Sequence, residues 1–277
     1  MLKVEKSICL FIEKIFLRAK MLFIDVQGTL LNDNDKSLIK GASELIAWLN
    51  LRQIPYVIIT NNTKDLNFLA NLRKKGLDIK DNAYLDPFFV LRQRLAPCKV
   101  AAFGADEFKN ALRELEFSLD YETPEALLVA SYDKFSFDDF SLMIECVKKG
   151  VRLIAMHETS IYKKNSKSYP GVGAIMKMLQ YATNASYEVF GKPSAAFYES
   201  ALKLLQAQDK SAKFSSTLII SDDFTGDLLK AREMKMRIAL VLSGKLNSSK
   251  GLDLRADDRV YESVNEYLNE LKTKDKR

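Results

Sequence analysis

Asp25-Val26-Gln27-Gly28-Thr29-Leu30 directly follows the apolar run Met21-Leu22-Phe23-Ile24. A buried strand that ends on a carboxylate and then turns through a glycine presents that carboxylate at the carboxyl edge of a parallel sheet, where open α/β proteins build their sites. Three further apolar runs end in polar residues. Tyr56-Val57-Ile58-Ile59 leads into Thr60-Asn61-Asn62, and Tyr187-Glu188-Val189-Phe190 into Gly191-Lys192-Pro193-Ser194. Thr217-Leu218-Ile219-Ile220 leads into Ser221-Asp222-Asp223-Phe224-Thr225-Gly226-Asp227. Hydroxyl, amide and ammonium groups suit phosphate oxygens, and aspartates suit a hard cation such as magnesium. A parallel sheet would collect all four endings beside Asp25. One such ending is weak; four in this order are a strong signal.

Composition narrows the chemistry. His157 is the only histidine, and Cys9, Cys98 and Cys146 lie far apart, so a multi-histidine centre is excluded and a metal site must use oxygen ligands. The odd number and wide spacing of the cysteines suit reduced thiols in a cytoplasmic protein. The net charge of +6 is spread along the chain with no basic stripe interleaved with aromatics, so nucleic acid is not an expected partner, whereas anionic substrates are favoured.

The elements that must position these residues alternate strand and helix. Ala42, Leu45, Ile46 and Leu49 recur at helical spacing, and a helix carrying Phe68, Leu69 and Leu72 stops at Gly76. Residues 100–103, 126–130 and 151–156 read as strands; Ser136, with Asp139 three residues on, opens a helix. Then come a strand at 187–190, a helix with Phe197, Ala201 and Leu204, strands at 217–220 and 238–242 with a helix from Gly226 between them, and a last helix through Tyr261 to Leu271 before a frayed, charged tail. At 277 residues the chain has room for a full core and one inserted domain. The expected division is a core at 21–83 and 187–277, an inserted α/β domain at 84–186, and an extension at 1–20. In that extension Ile8, Phe11, Ile12, Ile15 and Phe16 follow helical spacing. Its apolar block is too short to span a bilayer, and no stable membrane association is expected.

The four endings, in this order, resemble the four motifs of the haloacid dehalogenase superfamily over essentially all of residues 21–270. The insertion between the second and third motifs is where a C2-type cap sits. Ile59-Thr60-Asn61-Asn62, Pro170-Gly171-Val172-Gly173, Gly191-Lys192-Pro193 and the Asp222 to Asp227 spacing are similar to the p-nitrophenylphosphatase and N-acetylglucosamine-phosphate phosphatase branch. The resemblance implies an α/β fold, a Rossmann-like parallel-sheet core with an inserted α/β cap. It implies a Mg²⁺-dependent phosphatase acting on a small phosphorylated metabolite through an aspartyl phosphate, with a homodimer among the allowed states. Asp25 would be the nucleophile. Thr60 would hydrogen-bond a phosphoryl oxygen with the Asn61 backbone nearby, and Lys192 would neutralise the reacting charges. Asp25, Asp222, the backbone carbonyl of Gln27 and Asp227 would serve the metal, Asp227 by orienting a metal-bound water or Lys192.

The departures from the pattern matter as much. Gln27 stands where the family carries a second aspartate, and an amide cannot exchange a proton at neutral pH. The chain is therefore expected either to be slow, to be specialised for leaving groups that need no proton, or to be a silent phospho-ligand sensor or scaffold. Asp223 or a cap residue is a conceivable substitute acid. Ser221 replaces the usual glycine, an extra side chain that is expected to be tolerated, with crowding of the metal as the alternative. Asp222 and Asp227 read also as caps of the next helix. His157 stands in place of an asparagine-proline-aspartate run; a plain loop residue is the blander reading, and a substrate contact or replacement acid the sharper one. Pro170, Gly171 and Gly173 are expected to shape a cap turn without doing chemistry.

Overall fold

The computed structural model describes residues 21–164 and 167–275, which form two compact units. One comprises residues 21–58, 75–83 and 202–275, the other 59–74 and 84–201. The helix expected within residues 1–20 lies outside the described residues, as does Cys9.

In the first unit the strands run in the order β13 (Arg259–Tyr261), β12 (Arg237–Val241), β11 (Thr217–Ser221), β1 (Met21–Asp25), β2 (Tyr56–Ile59). The pairing is parallel, with Phe23 opposite Ile219 and Ile219 opposite Ile238. Every residue of β1 and β11 is buried, as a parallel sheet covered on both faces requires. Each fully buried side chain such as Phe23 or Ile24 contributes roughly 1.5–3 kcal/mol by leaving water. The helix Ala42–Leu51 buries the predicted stripe Ala42, Leu45, Ile46 and Leu49.

Two details at the carboxyl end of the chain differ from expectation. The last helix starts at Val264, not Tyr261, because Arg259–Tyr261 pairs with β12 as a short edge strand. Three residues are too few to show a period of two. The tail keeps helical form to Asp275, whose carboxylate pairs with Arg52.

The second unit has its own parallel sheet, in the order β10 (Glu188–Val189), β7 (Arg152–Ala155), β6 (Ala126–Val129), β4 (Lys99–Phe103), β5 (Ser118–Leu119). Helices Phe137–Lys148 and Val172–Thr183 cover it around Met143, Cys146, Ile175, Met176 and Leu179. Ser136 and Asp139 form the reciprocal capping box foreseen from their spacing. The remaining strands of this unit are the two-residue β3 (Tyr84–Leu85) and an antiparallel hairpin, β8 (Ile161–Lys164) with β9 (Lys167–Pro170), whose Tyr162 and Tyr169 rings stack at 5.5 Å.

One strand changes sheets. Residues 187–190 were expected to continue the sheet that holds Asp25, but Glu188 and Val189 pair with Ile154 and Ala155. Tyr187 and Val189 pack on the apolar cluster of this second unit, and that burial decides the partner. Gly191 and Lys192 therefore follow a strand of the second sheet.

Candidate functional site

In the first unit three adjacent parallel strands end together. Asp25 closes β1, Asp222 follows β11, and Ser243-Gly244-Lys245 follow β12. After Asp25 the chain folds back tightly: Leu30 and Leu31 N–H both donate to the Val26 carbonyl at 2.9 Å, and Gly28 N–H to the Leu31 carbonyl at 2.7 Å. Gly28 has φ +69°, and a Cβ there would lie 2.1 Å from Asp222 Oδ2 and 2.9 Å from Gly244 Cα. A Cβ on Gly244 would likewise meet Asp222 Oδ2 at 2.1 Å. The two glycines thus let two backbones close on one carboxylate. Ser243 Oγ donates to the Gly28 carbonyl at 2.7 Å and ties the two turns together. Gly28→Ala should cost about 2–4 kcal/mol, from left-handed strain plus overlap with Asp222; urea titration of the variant would measure it.

Burial, then the charge of Asp25, push the Asp222 carboxyl up to about 8, although the Lys245 N–H donates to its Oδ2 at 2.8 Å. A cation between the two carboxylates would relieve their repulsion. Among the described residues no group of three or more His, Cys, Asp or Glu is arranged around a common point. A carboxylate pair with a backbone carbonyl is nevertheless the hard-oxygen set that magnesium accepts while keeping its own waters. The raised carboxyl also fixes a pH dependence. The folded chain holds a proton that the unfolded chain has lost between about pH 4 and pH 8, so metal-free stability should fall as pH rises through that window. Thermal melts in chelator across the window, compared with melts in excess magnesium, would show whether the loss occurs and is reversed.

Around Asp222 the other acids are anchored. Ser221 Oγ donates to Asp227 Oδ2 at 2.8 Å and accepts the Asp223 N–H at 3.1 Å, so its hydroxyl is used as a strut within the turn. Asp223 Oδ1 caps the turn Phe224–Leu228 through the Gly226 N–H at 2.8 Å, and its Oδ2 pairs with the Lys245 ammonium. Asp223 is thereby held as an ion-paired cap, a poor substitute acid. Asp227 is buried within the same turn, which opens into the helix Leu229–Glu233. Burial pulls the Lys245 ammonium down, but Asp223, Asp227 and Asp222 more than offset it, and its pKa ends above the usual lysine value.

The second unit collects Thr60, Asn61, His157 and Lys192. Asn61 Oδ1 accepts the Lys192 N–H at 2.8 Å, while its Nδ2 lies 3.4 Å from the Lys192 carbonyl and 3.5 Å from Thr159 Oγ1. Gly191 permits this approach, since a Cβ there would sit 2.4 Å from the Met156 carbonyl oxygen and 2.7 Å from Asn61 Oδ1. Thr60 is fully buried, with its Oγ1 accepting the Asn62 N–H at 3.2 Å, and Lys192 is also buried. His157 is buried, and its Nδ1 accepts the Thr159 N–H at 3.3 Å. Its Nε2 lies 2.8 Å from Ser131 Oγ. Gly171 and Gly173 N–H groups donate to the Ser160 and Thr159 carbonyls, pinning the start of the helix Val172–Thr183 against that loop.

Sequence reasoning missed the loop after β12. Its strand was recognised, but Ser243, Gly244 and Lys245 carry no pattern that marks them; only their contacts with Gly28, Asp222 and Asp223 do. A glycine three residues beyond a buried strand was the one available hint.

Comparison with known proteins bears on most of the chain. A family model described as haloacid dehalogenase-like hydrolase matches residues 22–118, and a second, described as HAD-hydrolase-like, matches 189–267. The bovine haloacid dehalogenase-like hydrolase domain-containing protein 2 is 24% identical over 233 residues, covering 83% of this chain and 86% of its own length. The human phospholysine phosphohistidine inorganic pyrophosphate phosphatase is 27% identical over 241 residues, covering 82% and 84% respectively. Among solved structures, p-nitrophenyl phosphatase from Archaeoglobus fulgidus superposes with TM-score 0.75 at 22% identity, over 91% of this chain and 98% of that one. NagD from E. coli K-12 gives 0.70 at 24%, over 89% and 97%. The two family matches together span more than half of the sequence and carry the strands that end in Asp25 and Asp222, with the same fold in both structural neighbours. The chain belongs to the haloacid dehalogenase-like hydrolases.

Proposed function

We propose that the protein is a magnesium-dependent phosphomonoester hydrolase acting on a small phosphorylated metabolite, with chemistry specialised by Gln27. The observation that carries this reading is the buried pair Asp25 and Asp222 at the ends of neighbouring parallel strands, with Asp222 pushed up to about 8 by burial and by Asp25. Relatives that bear phosphatase names support phosphate as the group transferred. Asp25 attacks phosphorus, forming an aspartyl phosphate as the leaving oxygen departs. Water then cleaves it, releasing phosphate and regenerating the carboxylate. Thr60 and Asn61 bind phosphoryl oxygens, and Lys192 balances the charge that spreads over them in the transition state. Asp25, Asp222 and the Gln27 carbonyl would hold magnesium, with Asp227 orienting a water or Lys192, and the cation would supply charge that offsets repulsion between an anionic nucleophile and an anionic substrate. His157 lines the substrate side. The domain division expected from sequence, with 84–186 as a cap that sets specificity, belongs to this reading. So does a cytoplasmic location, to which the free thiols of Cys98 and Cys146 are suited. Among the described residues no helix is long and apolar enough to cross a membrane.

Gln27 favours a second reading, a phospho-ligand sensor that retains the fold without turnover. A panel of aryl, acyl and alkyl phosphates, assayed with and without magnesium, separates the two. The hydrolase reading expects metal-dependent release of phosphate that Asp222→Ala removes. Metal and phosphate-analogue binding with no release from any substrate would replace it by the sensor reading.

A further inference from the structure

The acidic turn after β11 already contains a cation. Lys245 is anchored at both ends on consecutive aspartates: its backbone N–H binds Asp222 Oδ2 at 2.8 Å, and its ammonium pairs with Asp223 Oδ2. The loop that carries it is fixed by Ser243 on the Gly28 carbonyl and by the close packing of Gly244 against Gly28. The same ammonium lies in the field of Asp222 and Asp227 as well as Asp223. A surface lysine on a loose loop would have none of these constraints.

Resting on the magnesium reading above, we infer that Lys245 is a built-in counter-ion of the cation site that lowers its affinity for divalent ions. A fixed positive charge neutralises part of the acidic field that attracts a metal and repels the metal that enters. Gln27 works in the same direction, because an amide stands where a third carboxylate would add negative charge. The Lys245 side chain is 39% exposed, so water and salt screen its effect without removing it. Lys245 thus acts on the cation through charge and is not a ligand. The consequence is a site that fills at higher magnesium concentration than its two carboxylates alone would demand.

Calorimetric titration of the full chain with Mg²⁺ alone, and Mn²⁺ binding followed by electron paramagnetic resonance, test this without reference to turnover. Lys245→Met should tighten binding about tenfold at low salt, with Lys245→Gln as a second neutral variant, while Lys245→Arg should stay within about twofold of wild type. Asp223→Asn, which keeps a capping side chain but leaves Lys245 unneutralised, should shift affinity the opposite way. Raising ionic strength should narrow these differences. The inference is overturned if wild type binds Mg²⁺ and the neutral variants bind it no more tightly, or if Lys245→Arg tightens binding as much as Lys245→Met. If neither wild type nor Lys245→Met binds either ion, the magnesium reading itself fails and takes this inference with it. That outcome differs from unchanged affinity in a chain that does bind metal.

Discussion

Gln27→Asp should raise turnover of alkyl phosphates by about 10²–10⁴-fold, the usual worth of a positioned general acid–base. On the proposed mechanism glutamine leaves the departing oxygen without a proton, so aryl and acyl phosphates should react far better than alkyl ones. Water attacking the aspartyl phosphate also lacks a base there. The intermediate should then accumulate and give a first-turnover burst. The alternatives for a replacement acid are narrow. Asp223 is committed to Lys245 and to capping its turn, and both ring nitrogens of His157 have partners, Nδ1 in the Thr159 N–H and Nε2 in Ser131 Oγ. Stopped-flow comparison of wild type and variant on aryl and alkyl substrates reads both effects. Wild-type alkyl turnover equal to that of the variant would mean that another group supplies the proton. A variant that binds magnesium and phosphate analogues yet stays inert would show damage broader than one proton.

Asp25→Asn should reduce phosphatase activity by about 10⁴-fold or more in either background, because an amide cannot form the acyl phosphate. The fold should survive the change. Asp25 is a source of the repulsion that raises the Asp222 carboxyl, so removing its charge should lower the Asp222 pKa. Metal-free stability at neutral pH should accordingly rise, as the cost of ionising Asp222 falls. Loss of activity with gain of stability is a paired outcome that simple misfolding would not produce. Activity persisting in a well-folded variant would remove Asp25 from the mechanism.

The elements visible in the sequence are those long or apolar enough to leave a period. Buried parallel strands such as β1, β2 and β11 read as continuous apolar runs, and the Ser136–Asp139 spacing announced its helix. Strands of two or three residues, and the polar hairpin β8–β9, have no such signature, so Arg259–Tyr261 was absorbed into the helix that follows it. The helix Pro87–Arg94 did have a readable start in Asp86 followed by Pro87, with the Asp86 side chain accepting the Phe89 N–H.

By itself the sequence determined the chemistry on offer: four strands that run into Asp25, Thr60-Asn61, Lys192 and Asp222, a set of oxygen donors, and a glutamine at position 27. These are local facts, set by residue type and by a strand's apolar run. Sheet membership and charge environment were decided only by tertiary structure, because both depend on residues remote in sequence. Val189 found its partner at Ala155, and so placed Lys192 after a strand of the second sheet, held there by the Asn61 carboxamide. Gly28 and Gly244, more than two hundred residues apart, close on one carboxylate, and Lys245 lies beside it because β12 pairs with β11. No spacing rule along the chain encodes a contact made by the adjacency of parallel strands, and that adjacency is what sets the electrostatics of Asp222.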